Sequence, residues 1–338
     1  MKKQGMLKIR ILSLVVLLAV QCGAASEEQT WRLDGGKGLK ALDTAGEDKF
    51  LAEAVHIKQL VNEGKTGKVK KAFKQFKKDY PELAGPDMDM FMKAEVFLSK
   101  GKTTKAVRSY DKLMDEYPES RFYESALSRE YGIATAFLGG KKRKVLKIFK
   151  VRGYAEGARM MEHIADRTGD RPLAVRALIS VAESLEKRKK FNDAYDTWYD
   201  ISSRWPSGKV GRDSLLAMGR CKHASYRGPK FDSSNLKSAR TYYEDYQAKY
   251  PDEAKELGIG KRIGQIKEQL AYKQFDIGEY YKGTESVQSS NLYYQMVIDD
   301  WPGSVASQKA EAAIRPKPAE EKKIWKLKLL EKIEKLVL

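Results

Sequence analysis

Histidine is the side chain best suited to acid–base catalysis and metal binding near neutral pH, and this chain of 338 residues has three of them. His56, His163 and His223 are far apart in the sequence, and none has a second histidine or a cysteine at metal-ligand spacing. The motifs H-E-x-x-H and G-x-S-x-G and glycine-rich phosphate loops do not occur. The residue types and their spacing therefore predict a protein that is not an enzyme, with no catalytic residues, no metal site and no cofactor.

The two cysteines raise separate questions of processing and reactivity. Cys22 stands where a lipoprotein carries its acylated cysteine, but Gln21 precedes it where a lipobox has a small residue. We favour cleavage after Ala24 or Ala25, which would remove Cys22, over acylation of this lipidation candidate. Cys221 lies in a helical pattern of apolar residues and is expected to be a small buried hydrophobe, with no intrachain disulfide.

The N-terminus has the layout of a bacterial secretory signal. Four basic residues precede an apolar run from Ile11 to Val20, which small residues follow. The run is too short to span a bilayer as a permanent helix, and the alternative is a buried first helix. We predict a signal peptide at residues 1–25 and a mature chain that works outside the cytoplasm.

A repeated signal of helix ends organises the rest of the chain. An aromatic residue is followed directly by proline five times: Tyr80-Pro81, Tyr117-Pro118, Trp205-Pro206, Tyr250-Pro251 and Trp301-Pro302. Each pair closes a stretch with helical spacing, and the first two prolines are 37 residues apart. This is close to the 34-residue period of tetratricopeptide (TPR) repeats, in which a proline ends the second helix of a pair.

Small residues recur at the positions where paired helices must approach closely. Aligned on their prolines, the repeats place Ala94, Ala106, Ala182, Ala194 and Gly278 there. A Gly/Pro-containing loop at 227–235 and an irregular stretch at 253–260 account for the two later gaps between prolines. The longer gap from Pro118 to Pro206 hides one degenerate repeat, in which 139–144 separates a helix near 123–138 from one near 154–167. The pattern predicts an all-α fold at residues 48–314, a right-handed superhelical solenoid of five to six TPR-like helix pairs, with insertions in the third and fifth.

Both ends differ from this array. Residues 26–47 show no sustained periodicity and are expected to form a flexible leader. Residues 315–338 are expected to form a proline-containing linker and a basic amphipathic C-terminal helix. Two roles remain open for this helix, which are capping of the last repeat and docking on a partner or an anionic surface.

The charge balance favours anionic partners. The net charge is +18, and removal of residues 1–25, which carry four positive and no negative charges, lowers it to +14. In an exported protein, lipid headgroups, cell-wall carboxylates or an acidic protein face are more plausible partners than nucleic acid, which we do not expect to bind.

The C-terminal repeats carry a family resemblance. The run from Leu270 to Tyr281, followed by Tyr293-Tyr294-x-x-Val297-Ile298-x-x-Trp301-Pro302, resembles BamD-type outer-membrane assembly lipoproteins over residues 48–314. The lipobox at Gln21-Cys22 and the basic tail depart from that family.

The resemblance implies a non-enzymatic scaffold at the periplasmic face of the outer membrane, or in the periplasm without lipidation. The C-terminal repeats would hold the periplasmic domains of the barrel-forming subunit, and the N-terminal repeats would bind unfolded outer-membrane protein segments in a groove. The expected groove residues are Lys58, Val61, Asn62, Met88, Met92, Glu95 and Ser99. Charge reversal at Lys58 is expected to weaken peptide binding. The alternatives are a soluble periplasmic adaptor for envelope division or peptidoglycan machinery, and an envelope enzyme or its regulatory arm.

Overall fold

Helices occupy most of the chain that the computed structural model describes, which comprises residues 31–34, 38–41, 44–145 and 149–314. Among these residues, four short strands lie at β1 (Trp31–Asp34), β2 (Gly38–Ala41), β3 (Lys142–Val145) and β4 (Phe149–Arg152). The helices are α1 (Thr44–Asn62), α2 (Thr66–Asp79), α3 (Pro86–Ser99), α4 (Thr103–Glu116), α5 (Tyr123–Leu138), α6 (Tyr154–Thr168), α7 (Pro172–Lys187), α8 (Phe191–Arg204), α9 (Gly208–Ala224), α10 (Ser234–Lys249), α11 (Pro251–Glu256), α12 (Ile259–Gly283), α13 (Val287–Asp300) and α14 (Val305–Ala313). A 3-10 turn lies at Pro81–Leu83.

The chain divides into two compact units. The first comprises Met1–Ala84 with Leu98–Gly101, and the second comprises Gly85–Phe97 with Lys102–Leu338. In the first unit α1 packs against α2, and Tyr80 lies against Phe50 and Phe76, with ring centroids 5.3 and 4.7 Å apart. In the second unit, consecutive helices from α4 to α10 pack against one another, and α12 packs against α13 and α14.

These contacts confirm the helical solenoid predicted from the repeats. The pairs are α1–α2, α5–α6, α7–α8, α9–α10 and α12–α13, with α14 packed on the last pair. Helices α3 and α4 form a further pair, in which the ring of Phe91 lies 5.9 Å from that of Tyr110. The third pair is composed of helices at Tyr123–Leu138 and Tyr154–Thr168, within one residue of the predicted bounds. The insertions fall in the third and fifth pairs, as predicted.

All five aromatic–proline pairs end a helix in the same way. The aromatic residue has φ between −130° and −136° and ψ between 57° and 73°, and its amide donates to the carbonyl four residues earlier. This follows from sterics, because the ring of a proline excludes the α conformation for the residue before it. The helix therefore stops at the residue that precedes the aromatic.

The small residues lie at close helix contacts. Ala94, Ala106, Ala182 and Ala194 are completely buried. At Gly278 an added Cβ would lie 2.6 Å from Cε1 of Tyr294, so only glycine fits beneath that ring. The predicted repeat register is therefore confirmed at these positions.

The two insertions differ in structure. The interruption that begins at Gly139 is a β-hairpin, in which β3 pairs antiparallel with β4 and Lys142 lies opposite Arg152. This departs from the expectation of helices and loops alone, because two short segments with β-branched and aromatic residues satisfy their backbone groups by pairing. In the fifth pair, Lys273 Nζ donates to the carbonyls of Pro229 (3.0 Å) and Phe231 (2.7 Å) and thereby fastens the loop to α12.

Several predicted features fall partly or wholly outside the described residues. The signal peptide at 1–25, Cys22 and the C-terminal segment 315–338 lie outside them. Within the predicted leader at 26–47, β1 pairs antiparallel with β2 and α1 begins at Thr44. In the described part of the chain, no helix combines the length and apolar character needed to cross a bilayer.

Candidate functional site

A groove with an apolar floor and a basic rim runs along the first helix pair. Its volume is about 680 Å³. Ile57 and Leu60 of α1 form much of the floor, and both are more than nine-tenths buried. The other residues that line it are Glu53, His56, Gln59, Glu63, Lys65, Lys68, Lys71, Ala72 and Gln75. Helix α2, which supplies Lys68 and Lys71, has six lysines and one acidic residue, so the rim favours an anionic or carboxylate-bearing ligand.

The predicted groove residues of α1 lie on a different part of that helix. Lys58 and Asn62 are exposed, Val61 is 2% exposed, and none of the three lines the groove. Residues 53, 56, 57 and 60 of α1 face the groove instead, with an i, i+3, i+4, i+7 spacing. The lysines at 65, 68 and 71, spaced by three, are the sequence signal that indicates this face.

Three of the four predicted residues in α3 belong to the helix packing. Met88, Glu95 and Ser99 are 0%, 1% and 7% exposed, and Met92 is partly exposed. None of these four side chains of α3 lines the groove on the first helix pair. A peptide-binding role for the exposed residues Lys58 and Asn62 stays a prediction.

Glu95 instead joins two consecutive helix pairs. It accepts hydrogen bonds from the hydroxyl of Tyr110 in its own pair and from Arg129 of the next pair, whose Nε lies 2.7 Å from Oε1. The same arrangement recurs at Glu186, which accepts from Trp198 (2.7 Å) and from Arg220 (2.8 Å). In both cases the arginine is 34 residues after the glutamate, which is the TPR period.

These glutamates are structural anchors rather than ligand groups. Burial alone would raise the pKa of Glu186, but the hydrogen bonds from Arg220 and Trp198 outweigh it and lower the pKa. The carboxylate stays ionised and fixes the contact between α7 and α9. The repeat register predicts Glu95 in the groove, because a pattern along the chain does not show the hydrogen-bond donors Tyr110 and Arg129.

Cys221 is fully buried, as predicted, and it is a free thiol. Burial raises its pKa to about 12, and the neighbouring Glu186 acts in the same direction. The thiolate, which is the reactive form, is therefore scarce at neutral pH.

A second cavity, of about 310 Å³, is bordered by α4, α5 and α6. Three potential metal ligands meet at its wall, Asp111 of α4, Glu130 of α5 and His163 of α6, with one ligand atom from each within 4.8 Å of the other two. Nδ1 of His163 is 3.5 Å from Oδ1 of Asp111. No spacing in the sequence indicates this cluster, because its members are 19 and 33 residues apart on three helices.

Burial dominates the electrostatics of this cluster. It raises the pKa of Glu130 to about 9, and the adjacent carboxylate of Asp111 acts in the same direction. Burial also raises the pKa of Asp111, whereas His163 and Arg167 oppose the rise. Two carboxyl groups this close favour a proton or a cation between them.

The last helix pair presents an aromatic surface. Tyr281 of α12 stacks on Tyr293 of α13 at 5.3 Å between centroids, and Tyr280 lies edge-on to Tyr281. Tyr280 and Leu292 are 67% and 61% exposed. Exposed aromatic side chains in such a cluster are typical of protein interfaces.

Comparisons with solved structures find distant similarities only. The C-terminal part of a TPR repeat-containing protein from Cytophaga hutchinsonii is 13% identical and covers 75% of this chain and 98% of its own, with a TM-score of 0.30. PilF of Pseudomonas aeruginosa is 14% identical, covering 80% and 99%, with a TM-score of 0.29. PilW, a widely conserved type IV pilus biogenesis factor, is 13% identical, covering 77% and 97%, with a TM-score of 0.27. At these TM-scores none of the three bears on the fold or on the function of this chain.

Comparisons by sequence match a shorter part of the chain. No curated protein matches the chain significantly. Residues 90–120 match the family model of the tetratricopeptide repeat, which covers most of α3, all of α4 and the first aromatic–proline pair after them. The chain thus contains a tetratricopeptide repeat at residues 90–120, within an array of helix pairs built to the same plan.

Proposed function

We propose that this protein is a non-enzymatic, BamD-like scaffold of the bacterial cell envelope that supports the assembly of outer-membrane β-barrel proteins. The observation that carries the proposal is the groove on the first helix pair, with its apolar floor and its rim of lysines. TPR arrays in general bind protein segments on preformed helical surfaces. The proposal therefore assigns protein partners, and no cofactor, to this chain.

The groove suits the end of an unfolded β-strand. Such a segment alternates apolar and polar side chains, so one face can lie on Ile57 and Leu60. When the segment is a C-terminal strand, its terminal carboxylate meets the lysine rim at Lys68 and Lys71, both of which are exposed. Electrostatic attraction speeds the encounter, and apolar burial supplies the affinity.

The aromatic surface of the last pair supports a second protein contact. Tyr280 and Leu292 are exposed there, near the stacked Tyr281 and Tyr293. In the proposed role this surface holds a periplasmic domain of the barrel-forming subunit. Tyr is enriched among residues that dominate binding energy, so Tyr280→Ala is expected to weaken this contact.

Peptide binding tests the groove directly. We expect a labelled peptide from the C-terminal strand of an outer-membrane protein to bind the purified protein, measured by fluorescence anisotropy. The double substitution Lys68→Glu/Lys71→Glu is expected to raise the Kd about tenfold or more, because it places two like charges against the peptide carboxylate. The effect should shrink as salt rises.

Matched controls separate this groove from general basic attraction. Lys70→Glu changes an exposed lysine of the same helix that does not line the groove, and it should leave the Kd within about twofold, as expected for a distant surface charge. A larger effect of Lys58→Glu than of Lys68→Glu would place the peptide on the face expected from the sequence instead. Equal affinity for a scrambled peptide would contradict a specific groove.

Localisation and partners distinguish the alternative function. A pull-down from native membranes should recover the barrel-forming subunit, and fractionation should place the protein at the outer membrane. Recovery of division or peptidoglycan proteins from a soluble periplasmic fraction would favour the adaptor role. Hydrolytic activity in the pure protein would contradict the non-enzymatic assignment.

A further inference from the structure

We propose that Asp111, Glu130 and His163 form a binding site for one divalent transition-metal ion, of which Zn²⁺ is the representative. The site lies at the wall of the cavity bordered by α4, α5 and α6. It is separate from the groove on the first helix pair and does not depend on the scaffold function proposed above.

Glu130 is buried and has a carboxyl oxygen without a hydrogen-bond partner among the described residues. Its side chain is in the core, with a relative exposure of 2%, yet it also lines the cavity. Its Oε1 has no hydrogen-bond partner among the described residues, and the same is true of Oδ1 of Asp111. Buried carboxylate oxygens without a donor are costly, and two of them at one cavity wall favour a cation or a proton shared between them.

The distances between the three side chains are close to those of a zinc site. A zinc ion with ligands at about 2.0–2.2 Å holds them about 3.4 Å apart at the corners of a tetrahedron. His163 Nδ1 and Asp111 Oδ1 are already 3.5 Å apart. The third ligand atom, from Glu130, lies within 4.8 Å of both, so a rotamer adjustment of about 1 Å closes the set. His163 is 52% exposed in its side chain, which leaves a path for the ion and a position for water.

The carboxylates around the cluster carry more charge than the neighbouring guanidinium. Arg167 is the guanidinium beside the cluster, and it is shared between Asp115 (2.8 Å) and Asp111 (3.7 Å). Asp111 and Asp115 together outweigh this guanidinium by one negative charge, before Glu130 is counted. A cation is therefore favoured beside these carboxylates. At the cavity wall Arg159 is engaged with Glu156 (2.7 Å).

The ligand types select the metal. Imidazole favours zinc, copper, iron and nickel, whereas a site for calcium or magnesium is built from oxygen ligands alone. One nitrogen and two carboxylate oxygens, with an open position, match the mixed sets that hold zinc. The proton is the competing occupant of the space between the two carboxyl groups.

The test is metal binding to the whole purified protein after removal of bound metal with a chelator. Calorimetric titration with ZnCl₂ should give one equivalent with a micromolar or lower Kd, and saturating Zn²⁺ should raise the melting temperature. Co²⁺ should give the visible absorption of a low-coordinate site. Glu130→Gln and His163→Ala should each raise the Kd at least tenfold, and both should lose the shift in melting temperature.

His56→Ala is the matched control, because it removes another exposed histidine, in the first unit, and should leave the affinity unchanged. Since Glu130 is buried, circular dichroism must show that its variant folds; if it does not, His163→Ala decides alone. Absence of Zn²⁺ binding in the native protein would overturn the proposal and leave a shared proton between the carboxyl groups. Binding that is unchanged in His163→Ala, or lost in His56→Ala, would also overturn it.

Discussion

At the scale of single residues, His223 shows how burial controls ionisation. Burial lowers its pKa from 6.5, Arg262 acts in the same direction, and a hydrogen bond to Gln269 (3.0 Å) opposes the shift. The unfolded chain therefore binds the proton more tightly than the folded one. The stability that neutral His223 contributes is complete above pH 6.5 and is lost as the pH falls from 6.5 through the lower, folded pKa.

This gives a pH prediction with a defined sign. Urea unfolding of the native protein should show a larger loss of stability between pH 7.5 and 5.5 than the His223→Gln variant, which has no imidazole at that site. His223→Gln itself should cost little at pH 7.5 because an amide can replace the hydrogen bond to Gln269. Identical losses in both proteins would show that His223 is not desolvated.

Gly278 gives a second residue-scale prediction, of steric origin. An added Cβ would meet the ring of Tyr294 at 2.6 Å, and Tyr294 is completely buried. Gly278→Ala should destabilise the protein by about 1–3 kcal/mol, as for overpacking in a core. The matched control is Gly264→Ala in the same helix, where nothing lies within 4 Å and alanine should stabilise by about 0.5–1 kcal/mol. Equal effects in chemical denaturation would contradict the close approach of α12 and α13.

At the scale of elements, the ion pairs between successive repeats link neighbouring helix pairs. Arg129 and Glu95 have side-chain exposures of 12% and 1%, so α5 is joined to α3 through a contact largely removed from water. Arg129→Met should cost about 3–5 kcal/mol, because it leaves a buried carboxylate without its partner. The double variant Glu95→Gln/Arg129→Met should recover part of that loss in urea unfolding.

An exposed pair provides the contrast. Lys112 and Glu116 in α4 are 3.4 Å apart with side-chain exposures of 60% and 45%, so Lys112→Met should cost less than about 1 kcal/mol. A loss for Arg129→Met that is no larger than that for Lys112→Met would contradict a structural role for the buried pair.

At the scale of the whole molecule, each repeat of a solenoid relies on its neighbours, and the last one needs a cap. Helix α14 meets this need, since Ala306 and Ala310 are buried in one cluster with Tyr294 and Val297. Truncation after Ile314 should therefore leave the melting temperature almost unchanged. Truncation after Ser304, which removes α14, should lower it by several degrees and promote aggregation.

The same truncations address the two roles considered for residues 315–338. Loss of binding to anionic liposomes, with unchanged stability, is expected for the protein that ends at Ile314, because each lysine near such a surface contributes about 1 kcal/mol. A marked fall in melting temperature for this shorter chain would show that the segment caps the array.

The sequence by itself determined the helical array and the residues at which its helices end. Local rules account for the bounds of α5 and α6 and for small residues such as Gly278. They also account for the helix ends before Pro81, Pro118, Pro206, Pro251 and Pro302. Proline excludes the α conformation for the residue before it, and a helix contact excludes a large side chain. These rules act within a few residues or one repeat, so a pattern in the chain is enough to apply them.

Only the tertiary structure decided which faces are open and which residues meet. Glu95 has the sequence signature of any helical glutamate, yet it is buried against Tyr110 and Arg129. Asp111, Glu130 and His163 come together because α4, α5 and α6 pack side by side, and no spacing along the chain encodes that meeting. The physical reason is that a side chain's surroundings depend on the rotation of each helix about its axis, where one residue of error turns it by about 100°.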